Sequence, residues 1–176
     1  QDKFVPSYFR RMAAKVAPLG YEPKALVAGI WAGTAAMVNN DGSRTNEEAF
    51  WACFTKQFGE KALADRPVFD EYYRVEFQQV KADCGYNPEA ARTVARLKEQ
   101  GYRVALATNP IFPAGATESR IRWAGLSPED FLFYTTYENS THCKPNPAYY
   151  EDVLLKLGCP AQECLMVGND AQEGMA

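Results

Sequence analysis

Val104-Ala105-Leu106-Ala107-Thr108-Asn109-Pro110 is the stretch on which the reading of this sequence turns. Four apolar residues in succession lead into a hydroxyl, an amide and a proline. That pattern predicts a short strand covered on both faces and stopped abruptly at Thr108-Asn109. On its upstream side Asn87-Pro88 caps and opens a helix that runs to Gln100, where Gly101 ends it. On its downstream side a helix is expected from Ala114 to Ala124 and a second strand from Phe131 to Thr135. Asn146-Pro147 then opens a helix to Leu157, and Cys164-Leu165-Met166-Val167 reads as a last strand ending at Gly168. Helices alternating with short, wholly apolar strands predict an α/β fold with a Rossmann-like parallel sheet over residues 86–176.

Upstream of Tyr86 the rhythm is helical throughout. Phe4, Tyr8, Phe9, Met12, Val16 and Leu19 recur at three- and four-residue steps and stop near Gly20. A second apolar run covers Leu26 to Val38. A third helix begins at Thr45, with Glu48 three residues on as a capping box, and continues through Phe50, Trp51, Phe54 and Phe58. A fourth is expected to start at Pro67 and pass through Phe69, Tyr72, Tyr73, Phe77 and Val80. Residues 1–85 are therefore expected to form a helical cap, distinct from the sheet that follows.

Composition narrows the function classes. Of the 176 residues 47% are apolar and 23% charged, with a formal net charge of -3, the balance of an ordinary globular chain with no basic face for nucleic acid. The five cysteines form no C-x-x-C pair and there is one histidine, His142, so a Cys/His zinc site is not expected and reduced thiols in a cytoplasmic protein are. No stretch has the length and apolarity of a membrane span.

In open parallel sheets ligands bind beyond the carboxyl ends of the strands. Three polar features fall there: Thr108-Asn109, Lys144-Pro145 after the second strand, and Asn169-Asp170 after the third. Taken singly, each is as well read as a strand end, a solvated loop lysine or a turn. Together a hydroxyl, an ammonium and a carboxylate suit a phosphoryl group and a magnesium ion. His142 has no partner in the pattern and reads as a loop residue. Asn39-Asn40-Asp41-Gly42-Ser43 reads as a turn, since no β-type run leads into it.

ALATNP (residues 105–110), HCKPNPAYY (142–150) and LMVGNDAQEG (165–174) resemble, in order, the second, third and fourth motifs of the haloacid dehalogenase superfamily. Trp123-Ala124-Gly125-Leu126 also fits. Thr108 and Lys144 stand 36 positions apart and Lys144 and Asp170 stand 26 apart, as in that core. The resemblance implies a magnesium-dependent phosphatase acting on a small phosphorylated metabolite through an aspartyl-phosphate. It gives Thr108, Lys144 and Asp170 catalytic roles, Thr108, Asn109 and Lys144 the phosphoryl group, and Asp170, with Asn169 or Glu173, the metal.

Two departures from the pattern stand out. The family's Asp-x-Asp, which supplies the nucleophile, is absent and is expected upstream of Gln1; the chain as written is then expected to be inactive, and unstable without the sheet's first strand. The last motif has Gly174 where a second acidic residue belongs, with Glu173 beside it. The alternative is a non-catalytic fragment or pseudoenzyme that binds phosphate or a partner.

Overall fold

A computed structural model describes residues 3–168. Helix α1 (Phe4–Val16) continues into a 3-10 turn at Ala17–Leu19, which Gly20 closes in the left-handed region at φ 82°. Helices α2 (Pro23–Val38) and α3 (Asn46–Phe58) follow. Thr45 and Glu48 make both bonds of the capping box: the Thr45 hydroxyl accepts from Glu48 N at 3.2 Å and the Glu48 carboxylate from Thr45 N at 2.8 Å. Helix α4 (Lys61–Arg74) starts a turn and a half earlier than the sequence suggests and carries Pro67 in its interior. The early start has a packing cause. Ala62 is fully buried, and Asp65 accepts from the Tyr21 hydroxyl at 3.0 Å and from Lys61 at 2.6 Å, so the turns ahead of Pro67 are held despite the lost backbone bond. A 3-10 segment, Glu76–Asp83, takes the place of the helix end that the apolar spacing suggests.

Helices α2 and α3 pack face to face because α2 presents glycines. A Cβ on Gly29 would lie 2.5 Å from the Phe58 ring, and one on Gly33 2.5 Å from the Phe50 ring. The resulting core is dense in aromatics: Tyr8, Tyr21, Trp51, Phe54, Phe69, Tyr72 and Phe77 are all buried, and Phe54 meets Phe58 at a centroid distance of 4.6 Å. Fully burying each such ring stabilises by about 1.5–3 kcal/mol. Ala116 and Trp123, from the second half of the chain, belong to this same core, with Trp123 tilted on Phe77 at 5.0 Å.

The second half contributes α5 (Glu89–Glu99), α6 (Ala114–Trp123) and α7 (Pro147–Leu157). Asn146 caps α7 by accepting from Ala148 N at 3.0 Å. The parallel sheet expected here is not formed among the described residues. Its one trace is an isolated parallel bridge, Leu106 to Tyr134. The bonding explains why the ladder does not spread. Leu132 N donates to Val104 O (2.7 Å), Leu106 N to Phe133 O (3.0 Å) and Thr135 N to Leu106 O (3.1 Å). From Val104 O to Leu106 O the first segment advances two residues (106 − 104), while from Leu132 N to Thr135 N the second advances three (135 − 132). One extra residue on one side breaks a parallel register, as a bulge does. The third expected strand, 164–167, is unpaired among the described residues, with Leu165 89% and Val167 82% exposed. Among the described residues no helix is long and apolar enough to cross a membrane.

Candidate functional site

The bridge fixes where the polar residues fall. Beyond Leu106 and Tyr134 both segments leave in the same direction, so Thr108-Asn109 and Thr135-Thr136 emerge side by side. Thr135 is buried and its hydroxyl donates to Thr108 O at 2.8 Å. Among the described residues the Thr108 hydroxyl makes only long contacts, 3.3 Å to Thr135 O and 3.4 Å to the Thr135 hydroxyl. Bonds of that length are weak, so this hydroxyl can turn to another acceptor at little cost.

Lys144 joins the group from a loop 35 residues further on, its backbone N–H donating to Asn109 Oδ1 at 3.2 Å. The Lys144-Pro145 peptide is cis. Tyr149, on the first turn of α7, lies between the two loops. Its hydroxyl donates to Thr108 O at 2.7 Å and is 3.3 Å from the Thr135 hydroxyl, while Lys144 Nζ stands 5.8 Å from its ring centroid. The ring face attracts the ammonium electrostatically. Thr108, Asn109 and Lys144 are thus brought together. Asp170, Asn169 and Glu173 lie outside the described residues, and among the described residues no group of three His, Cys, Asp or Glu side chains is placed to hold a metal.

The buried side chain of Asn46 hydrogen-bonds the helical half to these loops. Asn46, with no solvent exposure, accepts from Asn40 Nδ2 at 2.9 Å and donates to Pro110 O at 3.1 Å, with His142 O at 3.4 Å and Cys143 Sγ at 3.3 Å also in reach. Its backbone N–H donates to Ser140 O at 2.8 Å, and Glu47 N to Tyr137 O at 2.9 Å. The segment 39–43 is a turn: Asp41 Oδ1 accepts from Ser43 N at 3.0 Å and Gly42 has φ 85°. A Cβ on Gly42 would sit 2.5 Å from His142 Nε2, so this turn packs directly on the loop that carries Lys144. His142 does have a partner, contrary to the sequence expectation: Asp152 Oδ2 lies 3.1 Å from its Nδ1.

A cavity of about 150 Å³ opens between α1–α4 and the loops that follow Asn109 and Thr136. Ile111, Phe112 and Pro113 form one wall and Tyr137 another. Tyr137 N donates to Phe112 O at 3.0 Å, and both Glu138 carboxylate oxygens accept from Ala114 N at the start of α6, at 2.8 and 3.0 Å. These bonds hold the two loops as a unit. Burial pushes the Tyr73 and Tyr137 hydroxyls well above the usual tyrosine range, so both stay protonated.

Sequence reasoning missed Tyr149, Thr135 and Asn46. The signal for Tyr149 was a tyrosine one turn after Lys-Pro-Asn-Pro; for Asn46, a polar side chain directly after a helix cap at a position facing aromatics.

Compared with known proteins, residues 11–175 match the family model described as haloacid dehalogenase-like hydrolase. No curated protein and no solved structure matches the chain.

Proposed function

The chain belongs to the haloacid dehalogenase-like hydrolase family, and from that premise we propose that it serves phosphate-monoester hydrolysis, with Thr108, Asn109 and Lys144 as the phosphoryl-binding group. The observation that carries the reading is the convergence of two loops far apart in sequence: Lys144 N on Asn109 Oδ1 at 3.2 Å, and Tyr149 of the lysine's own loop–helix unit on Thr108 O at 2.7 Å. The chemistry follows from the groups. The Thr108 hydroxyl, released from its long contacts to Thr135, donates to a phosphoryl oxygen. Lys144 neutralises the charge that the transferring group keeps throughout the reaction. Tyr149 holds both in place.

The nucleophile in this reading is an aspartate outside these 176 residues, since no Asp-x-Asp follows an apolar strand within them. It attacks phosphorus, the alcohol departs with a proton, and water then cleaves the acyl-phosphate to release inorganic phosphate. Asp170, with Asn169 or Glu173, offers oxygen ligands of the kind magnesium takes. Magnesium bound there would neutralise part of the phosphoryl charge. The helical residues 1–85 would act as the cap that excludes water from the site.

The test is release of inorganic phosphate from phosphomonoesters by the protein carrying that aspartate, compared with its Lys144→Ala variant. A drop of about a hundredfold or more in kcat/KM on losing the lysine supports the reading. Phosphate binding without turnover would leave the binding role alone, and turnover indifferent to Lys144 would refute the assignment.

A further inference from the structure

We infer that the cavity between the helical half and the 111–113 and 137 loops is a binding site for an uncharged, benzene-sized organic group. Resting on the phosphatase reading, we assign it as the seat of the substrate's alcohol portion, which makes the substrate class phosphate esters of small aromatic alcohols.

Three observations carry this. The first is position. The cavity walls at Ile111 and Tyr137 lie just past the ends of the two bridged segments, on the side where Thr108 and Asn109 emerge. The second is lining. Ten of its seventeen lining residues are aromatic, and the single charged one is an acid, Asp70. Among the described residues no lining side chain is a cation, the Arg120 guanidinium standing behind the Phe4 and Phe112 rings at 5.4 and 5.8 Å from their centroids, and a polyhydroxylated group would find few partners there. A charged head must therefore stay outside, while an apolar group gains from entering.

The third is size. About 150 Å³ is the apolar volume that accepts a benzene-sized guest. A nucleoside is too large for it. Access is provided for: Trp31 (53% exposed) and Val5 (40% exposed) line the same space and reach solvent.

The experiment is 19F NMR titration of the full chain with 4-fluorobenzyl alcohol, alongside a separate titration with inorganic phosphate. Thr34→Leu fills the cavity at small structural cost, because the Thr34 hydroxyl is used only within its own helix, donating to Ile30 O at 2.8 Å. The expected result is saturable binding of the alcohol, weakened about tenfold or more by Thr34→Leu and unaffected by Lys144→Ala, while phosphate binding shows the opposite pattern. Should Thr34→Leu fail to melt cooperatively, Trp31→Ala at the exposed mouth serves the same comparison. Absence of saturable alcohol binding overturns the inference and leaves the phosphoryl site standing if phosphate still depends on Lys144. Alcohol binding indifferent to both cavity variants places the guest elsewhere and overturns it too. Alcohol binding that meets the expectation, with phosphate binding indifferent to Lys144, removes the substrate assignment through the failure of the phosphatase reading itself.

Discussion

The Tyr149 hydroxyl donates to the carbonyl oxygen of Thr108 at 2.7 Å across 41 residues of sequence. Through that bond the first turn of α7 is locked to the end of the bridged segment, and with it the loop that carries Lys144.

Tyr149→Phe removes this bond and keeps the ring beneath the lysine. Thr108 O is not orphaned, because the Thr135 hydroxyl still donates to it at 2.8 Å. The expected loss is therefore near the ordinary worth of a hydrogen bond, about 1 kcal/mol, rather than the larger penalty of an unmade buried group. Urea unfolding at constant m-value measures it. Tyr149→Leu, which also removes the ring below Lys144 Nζ, is expected to weaken phosphate binding beyond the phenylalanine variant.

Asn46 joins α3 to the loops at Pro110 and 140–143 and has no exposed surface. Truncation to alanine strips the Pro110 carbonyl and one Asn40 N–H of their partner in a dry environment. A loss of roughly 1–3 kcal/mol is expected, larger than for Tyr149→Phe. Equal losses in the two variants would show that Asn46 is not the main tie between the halves.

Gly33→Ala sets two effects against each other. Alanine gains about 1 kcal/mol of intrinsic helix preference over glycine. Against it, the new methyl would fall 2.5 Å from Phe50 Cδ2, near the base of a ring packed on the core. Overpacking of that kind costs about 1–3 kcal/mol, so net destabilisation is expected in thermal melts. A raised melting temperature would mean that α2 and α3 separate readily.

Acid should weaken the fold through Glu76 and Asp65. The hydrogen bond from Lys15 holds Glu76 below the usual carboxylate range, and the one from Lys61 does the same for Asp65. With folded values depressed, their stabilisation is complete above the unfolded pKa of about 4 and is lost as pH falls through the lower folded values. Glu76→Gln is expected to flatten the fall in stability below about pH 4. An unchanged acid slope would mean that the Lys15–Glu76 pair at 2.9 Å contributes nothing.

Helix positions were legible because their signals are local. Thr45-Glu48, Asn146-Pro147 and Asn87-Pro88 each specify a start within a few residues, and Gly20, Gly101 and Gly158 take the left-handed region at the ends. The strands were not, because Val104–Ala107 reports its own apolarity and not the register of a partner 27 residues away; the extra residue between Leu132 and Thr135 is a property of the pair. Pro67 misled for a related reason: proline is a good start signal, but Ala62 and Asp65 find tertiary partners that hold the preceding turns. At the site, Thr108, Asn109 and Lys144 were readable as polar residues at the ends of apolar runs. Tyr149 and Asn46 were not, since their roles lie in contacts 41 and 64 residues away.

In the proposed reading Thr108, Asn109 and Lys144 form one phosphoryl-binding group. Calorimetric titration of the chain with inorganic phosphate, in parallel with Lys144→Ala and with Lys24→Ala as an exposed control, tests it most directly. One saturable site is expected, unchanged in Lys24→Ala and weakened at least tenfold in Lys144→Ala, a loss of about 1.4 kcal/mol or more. Equal affinity in the wild type and Lys144→Ala would contradict it.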